Sequence, residues 1–166
     1  MRPVSSTDDL LQNARDYAAS FDNGEVPLRP ARKVAVLACM DSRMDLVGLL
    51  GLELGDAHMI RNAGGVVTDD AIRSLAISQR MLGTREIVLL HHTDCGMQTF
   101  SDDEFKRSLL DETGIKPAWA VEAFDDLDED VRQSIARILA SPFIPHKHSV
   151  RGFVYDVHTG ELREVS

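Results

Sequence analysis

The segment KVAVLAC, residues 33–39, decides the fold predicted for this chain. It is a short, continuous apolar run that is β-branched in part, which is typical of a buried strand. A second run of this kind is EIVLLHH, residues 86–92, and AHMIRNAG, residues 57–64, predicts a further short strand. Helical patterns separate these strands. The alternation predicts an α/β fold with a mostly parallel central β-sheet flanked by helices on both faces.

The helices are predicted from apolar spacing and from residues that begin or end a helix. One runs through Leu46 and Leu50 to about Gly51, one is capped by Thr68 or Asp69 and closed by Gly83, one opens at the capping box SDDE (101–104), and one runs from Leu127 to a stop before Pro142. The last segment, VRGFVYDVHTGELREV (150–165), predicts a final strand and a hairpin that turns at residues 158–160.

We expect residues 1–166 to form a single domain with an α/β core over 33–166 and an N-terminal helical arm over 7–20. The segment FDNGEVPLRPAR, residues 21–32, is rich in turn formers and separates the two. The arm is amphipathic and has little behind it in sequence. We therefore predict that this helix packs on a partner subunit.

Composition excludes several classes of partner. The net charge is −9, from 18 Lys and Arg against 27 Asp and Glu, which argues against nucleic acid because a phosphate-binding surface needs clustered basic residues. No apolar run approaches the ~20 residues of a membrane helix. The first residues lack the apolar core of a secretory signal, so a cytoplasmic protein without a membrane partner is expected.

Two cysteines and a histidine are predicted to meet at one edge of the sheet. Cys39 ends the first buried strand, and His92 and Cys95 follow the end of another. The cysteines could form a disulfide, pack in the core or bind a metal. Their joint placement favours a metal, and Cys2His ligation suits one zinc ion per chain. A structural zinc site usually has four Cys or His ligands, so three favour a catalytic site with a fourth position for water or substrate.

Other side chains near this edge are candidates for a role beside the metal. Asp41 and Arg43 follow Cys39 closely; the carboxylate can accept a hydrogen bond from a metal-bound water or become a ligand itself, and Arg43 can pair with it. His91 competes with His92 as a ligand, but His92 has the shorter spacing to Cys95. The pair His146 and His148 is expected to lie in a solvated loop.

Together these residues resemble the β-class carbonic anhydrases. The family pattern C-x-D-x-R is matched by residues 39–43 and H-x-x-C by residues 92–95, and the similarity covers most of residues 33–100. The resemblance implies reversible hydration of carbon dioxide to bicarbonate and a proton by zinc on Cys39, His92 and Cys95, with water as fourth ligand in the active form.

The resemblance also implies roles for further residues. Asp41 orients the attacking oxygen and Arg43 holds Asp41 off the metal, whereas in a closed, inactive state Asp41 is itself a zinc ligand. Backbone NH groups near Gly64 or Gly96 are candidates to bind substrate oxygens. A homodimer or a dimer of dimers is expected. Two alternatives remain open: hydrolysis of carbonyl sulfide or carbon disulfide on the same scaffold, and a zinc-stabilised binding module without turnover.

Overall fold

A computed structural model describes residues 5–166. Its strands are β1 (Val34–Cys39), β2 (Ala57–Asn62), β3 (Glu86–His92), β4 (Val150–Tyr155) and β5 (Leu162–Val165). Its helices are α1 (Ser6–Ala19), α2 (Leu46–Leu50), α3 (Asp69–Arg80), α4 (Asp102–Thr113) and α5 (Leu127–Ala140). Two 3₁₀ turns, at Ala63–Gly65 and Gly96–Gln98, follow β2 and β3.

The strands form one sheet in the order β2-β1-β3-β4-β5. The first four run parallel to one another, and β5 pairs antiparallel with β4 as the second strand of a hairpin. The α/β fold with a mostly parallel central sheet is therefore confirmed. Since β1 lies between β2 and β3, its carboxyl end is flanked by the ends of two other strands.

Alternation along the two central strands divides the core into two layers. Leu37 and Leu89 face the layer that contains Leu75 of α3 and Ile138 of α5. The residues one position away face the opposite layer, which contains the short helix α2 and the loops after β1 and β3. One face of the sheet is thus covered by two long helices, and the other by the short helix α2 and by loops.

The predicted helix boundaries agree with the structure except at one end. Thr68 caps α3 and Ser101 forms the expected capping box of α4. Helix α3 ends at Arg80 with Met81 as its C-cap, so Gly83 lies in the following loop rather than closing the helix. Gly83 has a φ of 84°, a left-handed conformation that the turn into β3 requires.

Helix α1 lies apart from the core. None of its residues is buried within the described chain, and the exposed fractions of Leu10 and Tyr17 are 66% and 60%. Its apolar side chains therefore do not contribute to the folding of a single subunit. No helix among residues 5–166 is long and apolar enough to cross a membrane.

Candidate metal centre

Cys39, His92 and Cys95 come together at the carboxyl edge of the sheet. Cys39 is the last residue of β1 and His92 the last of β3, while Cys95 lies in the loop that follows. All three side chains are buried, the two sulfurs are 4.0 Å apart, and the ligand atoms lie within 4.8 Å of one another. Within the described part of the chain, this is the one group of three or more such side chains close enough to share an ion.

The imidazole of His92 is oriented for metal binding. Its Nδ1 donates a hydrogen bond of 2.8 Å to the Thr93 carbonyl oxygen, which places the proton on Nδ1 and leaves the Nε2 lone pair free. Nε2 is buried and has no hydrogen-bond partner among the described residues. A buried polar atom without a partner is costly. A metal ion between Nε2 and the two sulfurs would satisfy it, so these residues fit zinc.

Strand alternation separates His91 from His92. The two residues are consecutive in β3, so their side chains point to opposite faces of the sheet. His91 is buried on the side of α5, where Nε2 lies 2.6 Å from an Asp130 carboxylate oxygen, and its ring lies 5.7 Å from that of Phe124. His91 therefore braces β3 against α5, and His92 is the histidine that lies close to the two cysteines.

The two thiols need a positive charge between them. Hydrogen bonding with Cys95 holds the pKa of Cys39 well below its usual value; burial opposes this, while His92 and the backbone at Asp41 and Gly64 reinforce it. The Cys39 sulfur and burial in turn raise the pKa of Cys95. Two thiols this close cannot both ionise without a nearby positive charge. A bound cation would allow both to ionise, which is the form that zinc requires.

Asp41 and Arg43 form the expected pair beside the metal cradle, which consists of Cys39, His92 and Cys95. Arg43 donates through Nε and Nη2 to the two carboxylate oxygens of Asp41, at 2.9 and 2.8 Å. This fork of hydrogen bonds holds the pKa of the Asp41 carboxyl well below its usual range, so the group is ionised. Asp41 Oδ2 lies 3.7 Å from Nε2 of His92, which places the carboxylate next to the centre but turned towards Arg43.

The sequence did not single out Asp94, which the structure also joins to Arg43. Arg43 donates through Nη1 to Asp94 Oδ2 at 2.7 Å and through Nη2 to the Asp94 carbonyl oxygen at 2.9 Å. The one clue to Asp94 in the sequence was that its carboxylate directly precedes Cys95, a candidate metal ligand. The direction of the Asp94 side chain could not be predicted from the sequence, because the residue has a φ of 55° that turns the chain.

The segment after β1 is held in place by Arg61 at the end of β2. Arg61 donates through Nε to the Cys39 carbonyl oxygen at 2.9 Å and through Nη2 to the Asp41 carbonyl oxygen at 2.6 Å. The carbonyl groups of this loop have no strand partner, and a guanidinium can donate to several of them at once. The loop that carries Asp41 is thereby fixed to the neighbouring strand.

Gly64 and Gly96 both line the cavity beside the metal cradle. The backbone NH of Gly64 is directed at the Cys39 sulfur, where it lowers the pKa of that thiol. Gly64 has a φ of 83° and Gly65 one of 71°, conformations that L side chains rarely adopt. Substrate binding by the NH groups near Gly64 and Gly96 stays a prediction.

The cavity has a volume of about 490 Å³ and a largely apolar wall. Besides the metal cradle it is lined by Ala63, Met97, Phe100, Phe105, Trp119 and Val121. These residues come from the loops and helix after β2 and β3, and sequence spacing did not connect them with the site. An apolar cavity that ends on Cys39, Cys95 and Asp41 can hold a small, weakly polar molecule next to a metal.

The fold and the site define an α/β protein in which two cysteines and a histidine that could hold a metal ion meet at the carboxyl edge of a parallel sheet. The sequence model of the carbonic anhydrase family matches residues 34–162. The chain belongs to the β-class carbonic anhydrase family, whose activity makes it a lyase.

Individual relatives agree with this assignment. The chain is 60% identical to β-carbonic anhydrase 1 of Mycobacterium tuberculosis, over 98% of this chain and 99% of that protein. It matches the crystal structure of carbonic anhydrase from Streptococcus mutans with a TM-score of 0.91 and 46% identity, over 98% of this chain and 99% of that one. Carbon disulfide hydrolase of Saccharolobus solfataricus is more distant, at 35% identity over 95% of this chain and 87% of that protein.

Proposed function

We propose that this protein catalyses the reversible hydration of carbon dioxide to bicarbonate and a proton, with one zinc ion per chain held by Cys39, His92 and Cys95. The observation that carries the proposal is the buried, partnerless Nε2 of His92 facing two sulfurs, beside an ionised Asp41 that is held by Arg43. The family to which the chain belongs and its expected activity agree with this geometry.

Zinc in this cradle would supply a Lewis acid that lowers the pKa of water, so that a nucleophile is available near neutral pH. The remaining work falls to the chain. An ionised carboxylate only accepts hydrogen bonds, so Asp41 can hold the proton of the attacking water and aim its lone pair away from itself, into the cavity. Arg43 keeps Asp41 ionised and turned from the metal position, since both carboxylate oxygens are engaged by its guanidinium.

The apolar wall suits the substrate. Carbon dioxide has no net dipole and gains little from hydrogen bonding, so Met97, Phe100 and Val121 can hold it without a desolvation penalty. Bicarbonate is charged and more strongly hydrated, so the same wall favours its release. The cavity therefore distinguishes substrate from product by polarity.

Stopped-flow hydration of carbon dioxide by the zinc-loaded protein tests the proposal. We expect rapid hydration, and an Asp41→Ala variant that keeps its zinc but loses activity by about 100-fold, in line with the loss of a positioned group in the transition state. Hydrogen sulfide release from carbonyl sulfide and carbon disulfide is measured in parallel. Rapid sulfide release with negligible hydration would show that the carbon disulfide hydrolases are the better guide to the substrate.

We also propose that the protein is a homodimer in which α1 packs on the partner subunit. Support comes from α1 itself, since Leu10, Leu11 and Tyr17 are more than half exposed. Burying such a face against a second copy would recover the hydrophobic free energy that one subunit leaves unused. Sedimentation of a Leu11→Asp variant checks this, with Leu110→Asp on α4 as control. Retention of the parent molecular mass by Leu11→Asp would contradict the proposed role of the arm.

A cytoplasmic location is part of the same proposal. Cys39 and Cys95 are free thiols 4.0 Å apart, and such a pair is kept reduced in a reducing compartment. Cell fractionation with an antibody to the chain would test this, and recovery in the extracellular fraction would contradict it.

A further inference from the structure

The Asp41–Arg43 pair has a third member. We propose that Asp94 is a positioning residue, which holds the Arg43 guanidinium where it keeps Asp41 turned away from the metal. The inference rests on the proposed function, because it concerns which of two orientations Asp41 takes beside a metal ion. Asp94 would act through Arg43 and would not touch substrate.

The first argument is the way in which Arg43 distributes its donors. Its Nε and Nη2 face Asp41, whereas Nη1 and a second hydrogen of Nη2 face the carboxylate and carbonyl oxygen of Asp94, at 2.7 and 2.9 Å. A guanidinium is planar and rigid, so fixing one edge also fixes the direction of the other. Asp94 thereby determines where Arg43 presents its fork to Asp41.

The second argument is that Arg43 has little else to hold it. Its side chain is 42% exposed, and a long side chain at the surface has many alternative conformers in water. Asp41 is only two residues away in the chain, so it can move together with Arg43. Asp94 belongs to a different segment, the loop after β3, so it contacts Arg43 from outside the Asp41 segment, although its own side chain is 65% exposed.

The third argument is the short distance over which Asp41 would have to move. Its Oδ2 is already 3.7 Å from Nε2 of His92, whose lone pair faces the metal position. A rotation of the carboxylate would bring it from Arg43 to a metal held by His92. The Arg43 backbone NH also donates to Asp41 Oδ1 at 2.9 Å and would remain, so the attraction that Asp94 controls is that of the guanidinium.

The backbone of Asp94 is consistent with this role. Its φ of 55° lies in the left-handed region, which costs free energy for a residue with a side chain although Asp tolerates it better than most. Because of this turn, one residue aims both its carboxylate and its carbonyl oxygen at Arg43, and the chain returns Cys95 to the cradle. A glycine would adopt the turn more readily but would lack the carboxylate.

Two substitutions separate the carboxylate from the turn. Asp94→Gly keeps the backbone conformation and removes the side chain, whereas Asp94→Asn keeps the shape and removes the charge. Asp128→Asn is the matched control, because Asp128 also accepts two hydrogen bonds from an arginine, Arg163, and neither residue lines the cavity. Each variant is loaded with zinc, analysed for metal content, assayed for carbon dioxide hydration and crystallised.

We expect Asp94→Gly to keep one zinc per chain and to lose about tenfold in kcat/KM, the size of effect expected for one charge-assisted hydrogen bond. Asp94→Asn should lose less and Asp128→Asn should stay within about twofold. Crystals of Asp94→Gly should show the Asp41 carboxylate turned from Arg43 to the zinc. In an Asp41→Ala background, Asp94→Gly should cause no further loss, because its effect passes through Asp41.

Three results would each overturn the inference. The first is an Asp94→Gly variant with parent activity and with Asp41 still paired to Arg43. The second is an undiminished effect of Asp94→Gly in the Asp41→Ala background. The third is loss of zinc from Asp94→Gly, which would make Asp94 part of the ligand loop only. If the parent protein fails to hydrate carbon dioxide while Asp41 still turns in the variant crystals, the proposed function fails and the positioning role stands.

Discussion

Replacing Gly65 by alanine should destabilise the edge of the sheet that carries Cys39 and His92. Gly65 has a φ of 71°, and a Cβ built on it would lie 2.8 Å from the Cys39 nitrogen, 2.9 Å from the Leu90 carbonyl oxygen and 3.1 Å from the Ala38 carbonyl carbon. All three are backbone atoms of β1 and β3, so no flexible side chain can move aside. The strands themselves would have to shift.

The expected cost has two parts. The left-handed conformation costs an alanine about 1–2 kcal/mol. Forcing a methyl group into a packed region adds about 1–3 kcal/mol, and the rigid backbone neighbours place Gly65 in the upper half of that range. We therefore expect a loss of about 3–5 kcal/mol in the free energy of unfolding. Gly114 is the matched control, because it has a similar φ of 74° but nothing within 4 Å of a Cβ. Gly114→Ala should cost only the conformational part, about 1–2 kcal/mol.

The measurement is urea unfolding of the metal-free proteins, because a bound metal would add its own binding free energy to the transition. Zinc affinity is then determined separately, and Gly65→Ala should bind zinc more weakly, since Cys39 and the strand end that carries His92 are displaced. Gly114→Ala should bind zinc as the parent does. Equal losses of stability in the two variants would refute the reasoning, because they would show that the backbone contacts at Gly65 relax at no cost.

Three further outcomes follow from the structure. Arg163 lowers the pKa of Asp128, so this pair stabilises the fold above the ordinary pKa of about 4, and the effect is lost as the pH falls through the lowered value. Asp128→Asn should therefore be less stable than the parent at pH 7, and the difference should shrink in unfolding curves recorded at progressively lower pH. Asp130→Ala removes the partner of buried His91 and should cost about 1–3 kcal/mol by urea unfolding, whereas an unchanged midpoint would contradict the bracing role of His91. Ser101→Ala removes a capping box and should cost about 1 kcal/mol, read from the same transition.

Much of the fold could be predicted because its central strands are apolar on both sides. The segments 33–39 and 86–92 are buried between two layers over most of their length, so each contains a continuous apolar run, VAVLA and IVLL, that is visible in the sequence. The end of α3 was less visible. A single glycine signals a turn but does not say whether it caps the helix or lies in the loop beyond it, as Gly83 does.

The site was predictable to the extent that it depends on where strands end. The resemblance to β-class carbonic anhydrases, now established as family membership, supplied the expected roles of Asp41 and Arg43. It did not supply Asp94 or the wall formed by Phe105 and Trp119. These side chains reach the site through the path of loops, and loop paths depend on contacts between segments that are distant in the chain.

By itself, the sequence determined that Cys39 and His92 meet, because each ends an apolar run and the carboxyl ends of parallel strands lie at one edge of a sheet. Tertiary structure alone decided what those residues do there. The turn at Asp94 sends its carboxylate to Arg43, and the opposite directions of His91 and His92 at the strand end assign one to α5 and the other to the metal position. Side-chain direction depends on the dihedral angles and partners of each residue, which only the folded chain supplies.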